Sequence, residues 1–342
     1  MRCRTSFRVC GLFLSFWVLS AIAAGQNPND EVVAEINGTK ITRADIEKEQ
    51  AGKLLQAHYQ IFMAEQKALE DLIDNRLLEM EAARQHLTVA QLVDREINSK
   101  IKDPSEDQLE LYYEDTNSTE PYETVRGKII ELIRQRRTAK LRAAYLQQLR
   151  NQANVLITLA PPVAEFALGD APRLGRADAP VKLVEFADYE CPYCVKVFPH
   201  LVKLHEEFAG QLAIYFKDLP LPMHKQARKA AEAARCAGAQ GKFWEYHDVL
   251  FSSSGLEVPQ LKKYARGLGL DGARFDKCLD SGEQAAAVQK DFEQAQQLGL
   301  GGTPSFFVEG HYFSGGVDYA TLRDLVVQQL NAKKSATQIS QK

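Results

Sequence analysis

Apolar positions along the chain fall into two regimes. Between residues 32 and 152 they recur at helical spacing on a polar background: Leu54, Ile61, Leu69, Ile73, Leu77 and Leu78 mark one long helix, and a second is expected from about Tyr122 to Gln152. The composition agrees, being dense in Leu, Ile, Ala, Glu, Lys, Arg and Gln, with Pro104 and Pro121 as its prolines after Gly38. The stretch VVAEINGTKITRADIEKE opens this half with a short strand-like run and a turn at Asn37-Gly38. Thr42 then stands three residues before Asp45, the spacing of a helix-starting capping box.

Past residue 180 the period changes. VKLVEFA (181 to 187) and LAIYF (212 to 216) are β-branched and aromatic runs of buried-strand length, separated by a helical stretch from about Pro192 to Phe208. Roughly eighty residues of helical pattern follow, then PSFFVEGHYF predicts a β-hairpin turning at Glu309-Gly310, and Asp318 caps a closing helix, YATLRDLVVQQL. This order predicts an α/β sheet with an inserted helical subdomain at about 220–298, preceded by a mostly α-helical domain at 30–155. The four-proline stretch between them reads as a linker over 156–180, the α/β domain as 181–332, and residues 333–342 as a flexible tail.

The first residues have a separate logic. Arg2, Arg4 and Arg8 precede an apolar run from Val9 to Ile22, and Ala21-Ile22-Ala23 offers a small-x-small cleavage site, so residues 1–23 read as a secretory signal peptide, with an uncleaved N-terminal anchor as the alternative. Cleavage leaves 39 basic against 45 acidic side chains, a net charge of −6 that argues against a nucleic-acid partner. It also leaves four cysteines, Cys191, Cys194, Cys236 and Cys278, in a chain bound for an oxidising, extracytoplasmic compartment. Asn37 and Asn117 each begin an Asn-x-Thr/Ser glycosylation pattern, informative only in a eukaryotic host.

Cys191 and Cys194 flank Pro192 and Tyr193 directly after the first predicted strand, a spacing open to a redox pair, half of a metal site or a structural disulfide. A zinc site needs about four ligands; no second CxxC exists and His200 and His205 are poorly spaced, so no metal is expected. A disulfide closing so small a loop constrains the unfolded chain little. A thiol at a helix start, by contrast, faces unpaired N–H groups and a dipole that favour its thiolate, and Pro192 suits the first helical turn. That placement makes Cys191 the exchanging sulfur and Cys194, one turn further in, the resolving one. Cys236 and Cys278, 42 residues apart, are expected to form a structural disulfide, with two buried free thiols as the alternative. His224 stands near the predicted active-site rim, although a surface histidine at a helix start is the plainer reading.

With VKLVEFADYE before CPYC, GTPSFFVEG near the end and a helical block between, residues 165 to 332 resemble the DsbA family of thioredoxin-fold thiol-disulfide oxidoreductases. The resemblance implies a thioredoxin-like fold with Cys191 as exposed nucleophile and a cis peptide at Thr303-Pro304 beside it, against which stands an ordinary trans proline at a strand start. It also places Glu185 as a buried acidic residue beneath the site, with Lys217 as its candidate partner, and Pro192 and Tyr193 as the dipeptide that tunes redox potential. Tyr193 sits where the family often has histidine. No cofactor is implied beyond the Cys191–Cys194 disulfide.

Residues 30 to 155 resemble the helical N-terminal region of SurA-like chaperones, which implies a module that holds unfolded clients or mediates homodimerisation; a plain spacer is the alternative. Together these readings predict a periplasmic oxidoreductase acting on unfolded or partly folded secreted proteins and recycled by a membrane redox partner. An isomerase or reductase kept reduced by a partner, and a chaperone using the thioredoxin domain as a binding scaffold, remain the alternatives.

Overall fold

The computed structural model describes residues 31–116 and 118–340, so the expected signal peptide and Asn117 lie outside the described residues. The chain divides into two compact units at Ala51/Gly52. In the first, β1 (Val32–Ile36) and β2 (Thr39–Thr42) pair antiparallel around a turn in which Asn37 and Gly38 both take positive φ. Thr42 and Asp45 exchange side-chain and backbone hydrogen bonds as a capping box that starts α1 (Arg43–Glu49).

The second unit begins with α2 (Ala51–Arg84), followed by α3 (Val89–Glu96), a 3-10 turn at Asn98–Lys100, α4 (Glu106–Asp115) and α5 (Tyr122–Gln152). Thr88 with Gln91 and Ser105 with Gln108 are capping boxes that fix where α3 and α4 start. Two small cores hold these helices: Leu77, Leu78, Ala82, Leu92, Leu146 and Leu149 in one, Leu109, Val125 and Ile129 in the other.

The boundary expected at residues 156–180 is not where the structure divides. The first turns of α2 carry Leu55, Tyr59 and Phe62 at helical spacing, and these side chains belong to the same core as Phe186, Phe307 and Tyr312 of the sheet. The Tyr59 hydroxyl accepts a hydrogen bond from Ser314 N at 3.1 Å, and its ring meets Tyr312 edge-on at 4.7 Å. At the start of α2 the backbone approaches the 297–299 turn so closely that a Cβ on Gly52 would lie 2.4 Å from the Gln297 carbonyl oxygen. Residues 156–180 are likewise no free linker: Phe166 and Leu168 pack on the same core, and β3 (Arg173–Leu174) joins the sheet. Its prolines suit an extended path along a sheet edge as well as a linker.

That sheet has five strands in the order β3-β5-β4-β6-β7, where β4 is Val181–Ala187, β5 Leu212–Asp218, β6 Ser305–Val308 and β7 His311–Ser314. β4 and β5 run parallel through the crossover helix α6 (Pro192–Glu207), and β6 returns antiparallel to β4. The helical insertion comprises α7 (Ala227–Gly238), α8 (Phe243–Ser252), α9 (Val258–Gly267), α10 (Gly272–Ser281) and α11 (Ala285–Gln297). Six alanines of α7 are buried, and side chains that small let it sit deep in the core that also contains both free cysteines. The chain closes with α12 (Tyr319–Ser340), whose backbone stays helical through most of the stretch expected as a tail; no Gly or Pro interrupts it there. Among the described residues, no helix is long and apolar enough to cross a membrane.

Candidate active site

Cys191 is the N-cap of α6 and Pro192 its first residue, so the thiol sits where the backbone N–H groups of Tyr193 and Cys194 are free to face it. Cys191 and Cys194 are both free thiols. The antiparallel register of β4 with β6 sets Phe186 opposite Ser305, which brings the start of β6 back to the end of β4. The Thr303–Pro304 peptide that precedes β6 is cis, and the Cys191 thiol donates to the Thr303 carbonyl oxygen at 3.4 Å. Cys191 is not the exposed sulfur that was expected: only 3% of the residue is accessible, because it lies against the Thr303 segment. Tyr193, next to it, is 57% exposed.

The two thiols are electrostatically unequal. The hydrogen bond from Cys194 does most to lower the Cys191 pKa, to about 5; burial opposes this, and Thr303 and the N–H groups of Cys194 and Tyr193 assist. Cys194 is pushed strongly upward, first by burial, then by its bond to Cys191 and the charge of Glu185.

Residues 168–328 match the thioredoxin family model and residues 6–108 the SurA-like N-terminal domain model. With that match, the cis Thr303–Pro304 bond and the CPYC helix start stand on one strand order. Residues 168–328 form a thioredoxin domain. Solved structures similar to the chain include a thioredoxin-like oxidoreductase from Silicibacter pomeroyi (31% identity, 48% of this chain and 94% of that one, TM-score 0.44). BdbD from Bacillus subtilis (25% identity, 50% and 99%, TM-score 0.46) and the catalytic domain of Proteus mirabilis ScsC (28% identity, 47% and 89%, TM-score 0.42) are also similar. Curated relatives include the Na(+)/H(+) antiporters NhaA 1 of Salinispora arenicola, 39% identical over 150 residues, and NhaA of Herminiimonas arsenicoxydans, 37% over 149. The matched segment is 43% of this chain, and the chain spans only about a quarter of the length of either relative.

Within the thioredoxin domain, Glu185 is 2% exposed on β4, and burial pushes its carboxyl up to about 8. It lines a cavity of about 30 Å³ together with Phe198, Leu201, Trp244, His247 and Asp248, enough room for a water molecule. His247 is itself buried, its pKa lowered to about 3 by burial, and its Nδ1 lies 3.0 Å from the Tyr189 hydroxyl.

Lys217 is not the partner of Glu185. The parallel register sets Glu185 opposite Phe216 and Lys217 opposite Phe186, so the two charged side chains leave opposite faces of the sheet. Lys217 Nζ instead meets Asp291 of α11 at 2.8 Å, and Arg235 of α7 bonds both Asp218 and Asp291. These four groups are at most 7% exposed, and burial pushes Asp218 up to about 6 despite its arginine. Sequence reading missed this network because its members are scattered over β5, α7 and α11; the one signal was a lysine and an aspartate ending a buried strand. Cys236 of α7 and Cys278 of α10 are bonded, with a Cα–Cα distance of 6.0 Å. Among the described residues, no cluster of His, Cys, Asp and Glu has the form of a metal site.

Proposed function

We propose that the chain is an extracytoplasmic thiol-disulfide oxidoreductase that introduces disulfides into unfolded secreted proteins through Cys191 and Cys194. The observation that carries this reading is the placement of Cys191 at the N-cap of α6 against the Thr303 carbonyl, with Cys194 fully buried one turn further in. A thiol lowered to about 5 is a stable thiolate at neutral pH, so reduction of the pair is favoured and the disulfide form is an oxidant.

In the forward reaction a client thiolate attacks the Cys191 sulfur of the oxidised pair. The Cys191–Cys194 bond breaks, a client–Cys191 bond forms, and Cys194 leaves as a thiolate. Because burial disfavours that anion, it takes a proton, for which the Glu185 carboxyl beneath it is the source; the cavity beside Glu185, with room for one water, gives it a route to recover a proton from solvent. A second client thiolate attacks the client sulfur of the mixed disulfide, releasing Cys191 as a thiolate and completing the client disulfide. Two electrons now rest on the dithiol, and a membrane redox partner that accepts them restores the disulfide. Pro192 and Tyr193 tune the potential from the helix start, and the Thr303–Pro304 segment lies beside the sulfur that the client reaches.

The SurA-like match and the exposed Ile61, Leu72, Met80, Leu111 and Leu132 of the helical region support a second role there, holding client chains by apolar contact. The decisive experiment mixes oxidised protein with a reduced, unfolded ribonuclease. Stoichiometric disulfide transfer is expected, lost in Cys191→Ser, while Cys194→Ser, first loaded at Cys191 as its glutathione mixed disulfide, should release glutathione to an attacking client thiolate and be trapped as the client–Cys191 mixed disulfide. Failure of the parent protein to transfer its disulfide would leave the chaperone reading in its place.

A further inference from the structure

Two turns of the thioredoxin domain are stitched together beside Cys191. In the first, between β4 and α6, Asp188 is 1% exposed and its carbonyl oxygen accepts the Cys191 N–H at 3.1 Å. Its carboxylate accepts from the N–H groups of Glu190 and Leu221, each at 2.7 Å, and lies 2.7 Å from His224 Nδ1. Leu221 and His224 belong to the second turn, between β5 and α7. Glu190 crosses the same gap, its carboxylate accepting from Gln226 N at 2.8 Å and Ala227 N at 3.1 Å. One buried aspartate therefore holds the backbone of Cys191 on one side and the imidazole of His224 on the other.

This arrangement puts two carboxylates, Asp188 and Glu190, on the same turn as a sulfur that has to carry negative charge. Alone they would oppose the thiolate, since like charges close together disfavour ionisation. His224, with a side chain about one-fifth exposed, meets the Asp188 carboxylate and is the group there that carries a positive charge when protonated. Lys225 follows it in its own turn.

We propose that His224, oriented by Asp188, is a positioning residue whose imidazolium stabilises the Cys191 thiolate and so makes the oxidising strength of the pair depend on pH. The inference deepens the reading of Cys191 as the exchanging thiol and rests on it. The electrostatics agree with the geometry: burial works hardest against the imidazolium, yet the hydrogen bond and charge of Asp188, then Glu190 and Cys191, together raise its pKa above the ordinary histidine value. The sign follows. Below the His224 pKa the charged ring favours the reduced, thiolate form, so the disulfide oxidises more strongly; as pH rises through that value the stabilisation is lost.

The test is alkylation of the reduced full-length protein as a function of pH, together with its equilibrium against glutathione from pH 5.5 to 8.5. His224→Gln is expected to raise the Cys191 midpoint enough to cut the thiolate fraction near pH 5 by about threefold or more. It is also expected to flatten the pH step in the glutathione equilibrium. His224→Lys keeps a positive charge, so the low midpoint should return while the step stays absent. Unchanged curves in His224→Gln, or a shift that His224→Lys fails to restore, would overturn the proposal. Because alkylation reads the thiol itself, a parent protein that oxidises no client would defeat the proposed function while leaving this measurement decisive.

Discussion

Replacing Glu185 by glutamine should stabilise the protein, and by an amount that pH controls. The carboxyl is enclosed between β4 and the side chains of α6 and α8 that line its small cavity, and burial lifts its pKa from 4.5 to about 8. Between those values the folded chain keeps the proton and the unfolded chain loses it, so stability falls as pH rises, by about 1.36 kcal/mol per unit. The accumulated penalty is about 3 kcal/mol at pH 7 and about 4 kcal/mol at pH 8, and it vanishes near pH 4.5. Glutamine has the same shape and no titration. Urea unfolding of the reduced parent and Glu185→Gln proteins, followed by Trp244 fluorescence, gives two stability curves in which every other group titrates alike. Their difference should be near zero at pH 4.5 and reach several kcal/mol at pH 8. A difference independent of pH would refute the reasoning, because it would mean that Glu185 is ionised in the fold at neutral pH and stabilised there by a partner. The same variant should slow the departure of Cys194 from the Cys191–Cys194 disulfide under client attack, so stability and turnover should move in opposite directions.

Cys191 should react with iodoacetamide with a midpoint near pH 5 while Cys194 stays unreactive until the protein unfolds; a midpoint in the ordinary thiol range near 8.5 would contradict the site electrostatics. The lowered thiol also stabilises the reduced fold above the unfolded thiol's range, a contribution lost as pH falls through about 5. Removing the 42-residue cross-link with Cys236→Ser and Cys278→Ser should cost about 4 kcal/mol, read from unfolding midpoints under oxidising conditions, and an unchanged midpoint would show that the bond constrains little. Lys217→Met leaves Arg235 alone against Asp218 and Asp291 and should destabilise by about 3 to 5 kcal/mol with no shift in the Cys191 alkylation midpoint; a loss below about 1 kcal/mol would argue that the network is not needed.

Much of this architecture could be read before any coordinates, because it rests on local physics. Alternating and continuous apolar runs marked β4, β5 and the β6–β7 hairpin; Thr42 with Asp45, and Asp318, marked helix starts; Cys191 directly before Pro192 placed a thiol on a helix N-terminus. Each of these depends on residues within one or two turns of one another, so spacing alone carries the information. What spacing could not carry was which face of a strand meets which neighbour. Adjacent charged residues on parallel strands look like partners in one dimension, yet the register turned Glu185 toward Phe216 and Lys217 toward Phe186, leaving the first without an ion pair among the described residues and the second bound to Asp291. Nor could it show that Leu55, Tyr59 and Phe62 pack against the sheet, since an amphipathic helix declares an apolar stripe and not what covers it.

Burial decided the rest. The sequence by itself determined the elements and the helix-start position of the Cys191–Cys194 pair, because propensity, capping and periodicity are properties of neighbouring residues. Only the tertiary structure set the Thr303 carbonyl 3.4 Å from Cys191 across 112 residues, tied Asp188 to His224 and enclosed Glu185. Those facts come from strand order and register, which bring distant residues together in a medium of low dielectric where a single charge changes what a sulfur can do.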